Sequence, residues 1–130
     1  MTIKKDSIGN FRNLDVYKKS LLFRKEIYRI VDRFPVYEKM NVVDQLRRAS
    51  CSTSANIAEG NANYYCAKEF DRLNTALASM AECRSFLDIS VMENYITHEE
   101  YQSLDKKAEE IMAMLIGMMS RIEEIIGKEV

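Results

Sequence analysis

The stretch YQSLDKKAEEIMAMLIGMMSRIEEIIG, residues 101–127, decides the fold. Tyr101, Leu104, Ala108, Ile111, Leu115, Met118, Ile122 and Ile125 recur at alternating steps of three and four. That is the period of one helix face, not of a strand. Met112, Met119 and Ile126 widen the face. Just upstream, Thr97-His98-Glu99-Glu100 has the form of a capping box, with Thr97 as N-cap and Glu100 three residues on. Glu99, Glu100 and Asp105 suit the positive end of a helix dipole, and Gly127 is expected to close the helix. A helix with so long an apolar stripe needs other helices to cover it.

Working back along the chain, three more helices emerge. The first is expected from Asn13, as N-cap, to Phe34. Val16, Ser20, Phe23, Ile27, Ile30 and Phe34 form one stripe, and Tyr17, Leu21, Arg24, Tyr28 and Val31 follow it one position later. Pro35 stops that helix, because proline disfavours α geometry in the residue before it and has no N–H to donate. A second helix starts near Asn41 and carries Val43, Leu46, Ser50, Thr53 and Ile57 on one side. Its centre, Ala49 to Ala55, is a run of small side chains that lets a neighbour approach closely. Gly60 is expected to end it as a left-handed C-cap. The third helix follows Asn63 and runs to about Asn94, with a stripe of Phe70, Leu73, Leu77, Met80, Arg84, Leu87 and Val91. Four helices with short connections predict an all-α fold, an antiparallel up-down-up-down four-helix bundle. The domain spans residues 11–130, behind a flexible N-terminal segment, 1–10.

Composition agrees. The chain is 47% hydrophobic and 30% charged, too apolar for disorder, and its single proline and four glycines leave few breakers. No apolar run is long enough for a membrane span and no signal peptide is visible, so a cytoplasmic protein with no membrane partner is expected. The net charge of −1 conceals a split: residues 1–72 hold 14 Lys and Arg against 9 Asp and Glu, and residues 73–130 hold 5 against 11. A basic helix pair then faces an acidic pair, an arrangement suited to subunit docking or to a basic binding face.

Catalytic patterns are missing. The one histidine, His98, lies in a helix-start box, where an exposed first-turn residue is expected. Cys51, Cys66 and Cys83 are widely spaced, without the tight ligand pairs of a zinc site. The pairs Glu99-Glu100, Glu109-Glu110 and Glu123-Glu124 read as solvated helix faces. No Glu-x-x-His motif or glycine-rich phosphate loop occurs. No enzyme, metal or cofactor is therefore expected. What remains are polar features. Lys18, Lys19, Arg24, Lys25, Arg29 and Arg33 line the first helix, diluted by Glu26 and Asp32. Gln45, Arg47 and Arg48 precede the small-residue run, and Asn56 and Glu59 flank the end of the second helix as capping or structural polar groups. A basic stripe reads either as solubilising charge or as a phosphate-contacting surface.

Phe11-Arg12-Asn13-Leu14-Asp15-Val16-Tyr17, Phe34-Pro35, Tyr37-Glu38, Gln45-Leu46-Arg47-Arg48-Ala49, Ser54-Ala55-Asn56-Ile57-Ala58-Glu59-Gly60 and Glu69-Phe70 occur in that order. In this the chain resembles the bacterial four-helix-bundle family known from intervening sequences in 23S rRNA genes. The resemblance implies a ring-like homo-oligomer, typically a pentamer. It also implies relatives that serve as accessory proteins to the reverse transcriptase of diversity-generating retroelements, binding RNA or DNA and the polymerase through basic surfaces. Carried over here, the resemblance points to Arg47, Arg48, Asn56 and Glu59. Together with the basic stripe of the first helix, Lys18, Lys19, Lys25, Arg29, Arg47 and Arg48 are the candidate nucleic-acid or partner contacts. The alternative is a structural or protein-interaction module with no nucleic-acid role. The wide stripes on the first and fourth helices suggest a further surface buried between subunits.

Overall fold

The computed structural model describes residues 3–129. The residues form four α-helices: α1 (Asp15–Val31), α2 (Val42–Asn61), α3 (Cys66–Met92) and α4 (His98–Glu129). Each packs on its neighbours in sequence, and α4 returns to α1, giving the antiparallel four-helix bundle that the stripes predict. The described residues contain no strand, only a single bridge between Lys4 and Tyr65.

The core follows the first-helix stripe closely. Val16, Ser20, Phe23, Ile27, Ile30 and Phe34 are all buried, as are Val43, Leu46, Ser50, Thr53 and Ile57 on α2. Ser20 and Ser54 meet inside the bundle, their hydroxyls 2.9 Å apart, so two small polar residues let α1 and α2 close on each other without an unpaired group.

The stripes drift on the other two helices. On α3 Leu73, Met80 and Leu87 are buried as expected, but Ala76, Cys83 and Ser90 take the alternate positions in place of Leu77, Arg84 and Val91, and Glu69 replaces Phe70. The helix is rotated so that its small residues meet α2, the closest pairing in the bundle. The oxygens of Ser52 and Ser79 are 2.9 Å apart across it. Larger Phe70, Leu77 and Val91 flank the core. Arg84 turns outward to α4, donating to Asp105 through Nε (2.7 Å) and Nη2 (3.1 Å), and to Glu109 at 3.0 Å. On α4 the buried line passes through Leu104, Ala108, Ile111 and Leu115, then through Met119 in place of Met118, and reaches Ile122. Ile125 is exposed. A straight helix has 3.6 residues per turn and slips from a strict seven-residue repeat over this length.

Several helix ends differ from their sequence reading. Asn13 is not the N-cap of α1. It lies in a 3-10 turn, Phe11–Asn13, capped by the Asn10 side chain accepting from the Arg12 N–H, and extended Leu14 precedes α1. The helix also stops before Phe34. Proline at 35 restrains that residue, and the last turn tightens, with the Phe34 N–H donating to the Val31 carbonyl. Gly60 is no left-handed cap but a helical residue. Gly127 likewise lies within α4 rather than closing it. The left-handed residue is Asn94 (φ 61°), which ends α3. There the Tyr95 N–H donates to the Ser90 carbonyl and the Asn94 N–H to that of Val91, the paired bonds of a Schellman motif. The α4 capping box forms as read: the Glu100 N–H donates to Thr97 Oγ1 (3.1 Å), and the Thr97 N–H to Glu100 Oε1 (2.9 Å).

From the segment 1–10, residues 3–5 run beside the α2–α3 connection. The Lys5 N–H donates to the Tyr64 carbonyl, and the Cys66 N–H to the Ile3 carbonyl. Lys5 Nζ donates to the last α2 carbonyls, Gly60 (3.2 Å) and Asn61 (2.9 Å), and lies 3.0 Å from the buried Glu69 carboxylate. One ammonium thus satisfies a helix C-terminus and a buried anion together. Residues 1, 2 and 130 lie outside the described residues.

Candidate nucleic-acid interface

The basic residues of α1 divide between two seams, because a helix spreads residues 18 to 29 around its whole circumference. Lys19, Lys25 and Arg29 line a groove of about 570 Å3 between α1 and α4, together with Lys107. Leu22, Phe23 and Ile111 form its apolar part, and Glu26 and Glu110 are its carboxylates. Lys19 lies 2.7 Å from Glu110, and Lys107 lies 2.6 Å from Glu26. The Glu110 carboxylate holds the Lys19 ammonium above the usual lysine value. Lys25 and Arg29 form no ion pair among the described residues, so the groove keeps an excess of positive charge. Toward the start of α4 the groove continues past Arg29 to Glu99 and Glu100, and Arg33 pairs with Glu100.

Lys18 is exposed and in no ion pair among the described residues. Arg48 is exposed and bound to Asp44 one turn earlier, at 3.1 Å. Arg47 instead lies over the Tyr28 ring, 5.4 Å from its centroid, in the α1–α2 seam. The six candidate contacts therefore do not make one patch. Three line the α1–α4 groove, and Lys18, Arg47 and Arg48 stand apart from it.

Asn56 is buried between α2 and α3. Its Nδ2 donates to the Ser52 carbonyl (2.9 Å) and Ser52 Oγ (3.1 Å), extending the chain that reaches Ser79. Glu59 is exposed and 3.5 Å from Arg72. Gly60 lets the helices meet here: a Cβ on it would lie 3.1 Å from Arg72 Cβ and 3.3 Å from the Glu69 carbonyl oxygen.

Residue type alone misses Glu69 as a polar site and places Arg24 in the basic stripe of α1 without its partners. Glu69 sits at helical spacing from Cys66 and Leu73, and a carboxylate on an apolar line signals a buried cation partner. Arg24 had the same signal, lying on the second stripe of α1. Its Nε is 3.4 Å from Cys51 Sγ, which is also 3.3 Å from the Tyr28 hydroxyl. The bond to Cys51, then burial, pushes the Tyr28 phenol up. Elsewhere the chemistry is quiet. Burial pushes the Cys83 thiol up to about 12, away from the reactive thiolate. His98 is exposed in the first turn of α4. Among the described residues no helix is long and apolar enough to cross a membrane.

Among curated proteins none matches the chain. A solved structure of similar fold is that of a protein of unknown function from the S23 ribosomal protein family of Bacteroides thetaiotaomicron VPI-5482. It is 29% identical, with a TM-score of 0.75, over 81% of this chain and 95% of that one. Residues 12–117, which hold α1 to α3 and most of α4, match the profile of a single family. The chain belongs to the 23S rRNA-intervening sequence protein family.

Proposed function

We propose that the protein is a non-catalytic, cytoplasmic homo-oligomer, a pentameric ring, that associates with nucleic acid or a ribonucleoprotein. The observation that carries this reading is the α1–α4 groove, where Lys25 and Arg29 hold no carboxylate beside the paired Lys19 and Lys107. Cations left without partners along an open groove suit a phosphate backbone, whose binding draws on counterion release. The family resemblance supplies the polymerase side of the reading, a reverse transcriptase to which such a ring would be accessory. Assembly is supported by apolar side chains left exposed on α1 and α4 outside the groove, Leu21 (39% exposed) and Ile116 (51%) among them.

Affinity for RNA and for single-stranded DNA, measured across a salt series on the assembled oligomer, tests it. Binding should weaken steeply with salt, and replacing Lys25 and Arg29 by Gln should reduce the log–log slope by about 1 per lost phosphate contact. No affinity at low salt overturns the nucleic-acid part. Sedimentation equilibrium tests the ring, and a monomer at all concentrations overturns it. A second reading, a protein-interaction module without nucleic acid, draws on Val36, Tyr37 and Met40, which expose apolar side chains in the α1–α2 connection. Substituting them would then abolish partner capture and leave nucleic-acid affinity unchanged.

A further inference from the structure

The α1–α2 seam carries a second cationic site that shares no residue with the groove. Arg24 and Tyr28 stand one turn apart on α1, Arg47 and Cys51 one turn apart on α2, and all four are half-buried. Both guanidinium groups lie on the Tyr28 ring, Arg24 at 4.3 Å from the centroid and Arg47 at 5.4 Å. The two charges are therefore within about 10 Å of each other, roughly one Debye length at 0.1 M salt, and their repulsion is only partly screened.

Neither has a carboxylate partner among the described residues. The acidic groups nearest in sequence to Arg47 and to the end of α2 are engaged elsewhere, Asp44 by Arg48 and Glu59 by Arg72. Arg24 Nε spends its hydrogen on a sulfur, a weak acceptor, and Arg47 Nε is buried with no acceptor among the described residues. A buried donor without a partner carries a desolvation cost, and two half-desolvated cations add repulsion to it. An anion with several oxygens answers the charge deficit: it neutralises the pair and accepts from the outer N–H groups of both arginines. The Tyr28 hydroxyl and the Cys51 thiol supply further donors.

We infer that the seam formed by Arg24, Tyr28, Arg47 and Cys51 binds a phosphate-class oxyanion, either a small free phosphate or a phosphodiester of a nucleic acid. The test is thermal unfolding of the full chain at constant ionic strength, with inorganic phosphate, pyrophosphate or a short oligothymidylate replacing chloride. The melting temperature should rise with one or more of these ligands, since binding to the folded state alone stabilises it. Arg24→Gln and Arg47→Gln should each raise the half-maximal ligand concentration by about tenfold. Arg47→Lys, which keeps charge but not the fork, should fall between, and exposed Lys106→Gln should change nothing. A rise with inorganic phosphate or pyrophosphate assigns a free anion, and a rise with the oligonucleotide alone assigns a backbone phosphate. The groove variants Lys25→Gln and Arg29→Gln should leave the phosphate response intact, so failure of the groove reading and failure of this one are distinguishable. The site is overturned if no ligand raises the melting temperature above chloride, or if both Gln variants keep the rise. Should a Gln variant not fold, the Tyr28 ring resonances of the wild type are followed instead, and ring signals that ignore every ligand overturn the site equally.

Discussion

A Cβ at position 60 would press on Arg72 Cβ and the Glu69 carbonyl, whereas one at Gly117 would meet only the flexible tip of Arg121 at 3.9 Å. Both glycines are helical, so propensity alone favours alanine at each by up to about 1 kcal/mol. Gly117→Ala should therefore raise the urea midpoint, and Gly60→Ala should lower it, because α3 cannot yield without disturbing its contact with α2. Equal shifts in the same direction would mean that the two helices are less tightly packed than the contact distances require. Glu69 gives a second test at this scale. Glu69→Gln leaves the Lys5 ammonium largely enclosed without its carboxylate and should cost roughly 2 kcal/mol, a discount on the 3–5 kcal/mol of a fully buried broken pair. Denaturant unfolding of that variant checks it. Neither effect was legible from residue type: Gly60 stands where a cap glycine would, and the partner of Glu69 lies 64 positions away in a segment read as flexible.

Helix ends were legible where side chains alone define them. The Thr97–Glu100 box needs only spacing, and it formed as read. Asn13 failed as a cap because the preceding 3-10 turn, set by Asn10, displaced the start of α1 by one residue, to Leu14 as N-cap. The positive φ fell on Asn94 rather than on a glycine because asparagine tolerates the left-handed region too. Stripes located α1 and α2 well. On α3, apolar residues occupy both the facing and the flanking lines, so periodicity could not choose between Leu77 and Ala76. Burial of small residues against α2 decided it. Thr97→Ala should destabilise by about 1 kcal/mol, measured by denaturant midpoint. The box also predicts an acid response. Arg33, then the Thr97 backbone N–H, holds the Glu100 carboxyl below the usual glutamate value of 4.5. A depressed folded value means the contribution is present above that range and is lost as pH falls through the lower folded value. Glu100→Gln should therefore flatten the loss of stability below about pH 4.5 and leave the neutral region offset but parallel. An unchanged acid limb would exclude Glu100 from it.

At the scale of the molecule, the charge split between the two halves of the chain becomes a seam. Lys19–Glu110 and Glu26–Lys107 join α1 to α4, the least closely packed pair of neighbours in the bundle, and Arg33–Glu100 ties the turn just after α1 to the same helix. Exposed ion pairs contribute little each and are screened by salt. Amide exchange should accordingly be faster along α1 than along α2 and α3, and the difference should widen with salt. By contrast Leu115 is fully buried. Leu115→Asp, an unpaired charge in the core, should abolish the cooperative melting transition. The fold was readable at this scale because long stripes and short connections leave few topologies. The candidate interface was not, since a helix distributes its cations around its axis and only the neighbours decide which stay unpaired.

The three thiols differ in access: Cys66 and Cys83 are sealed in the core, and Cys51 alone is half-open. A maleimide dye would thus attach once per folded chain, without engineering, on the outer seam of α1 and α2. Energy transfer between labelled copies would then report how far apart those seams lie in an assembled particle, and stepwise photobleaching would count the copies directly.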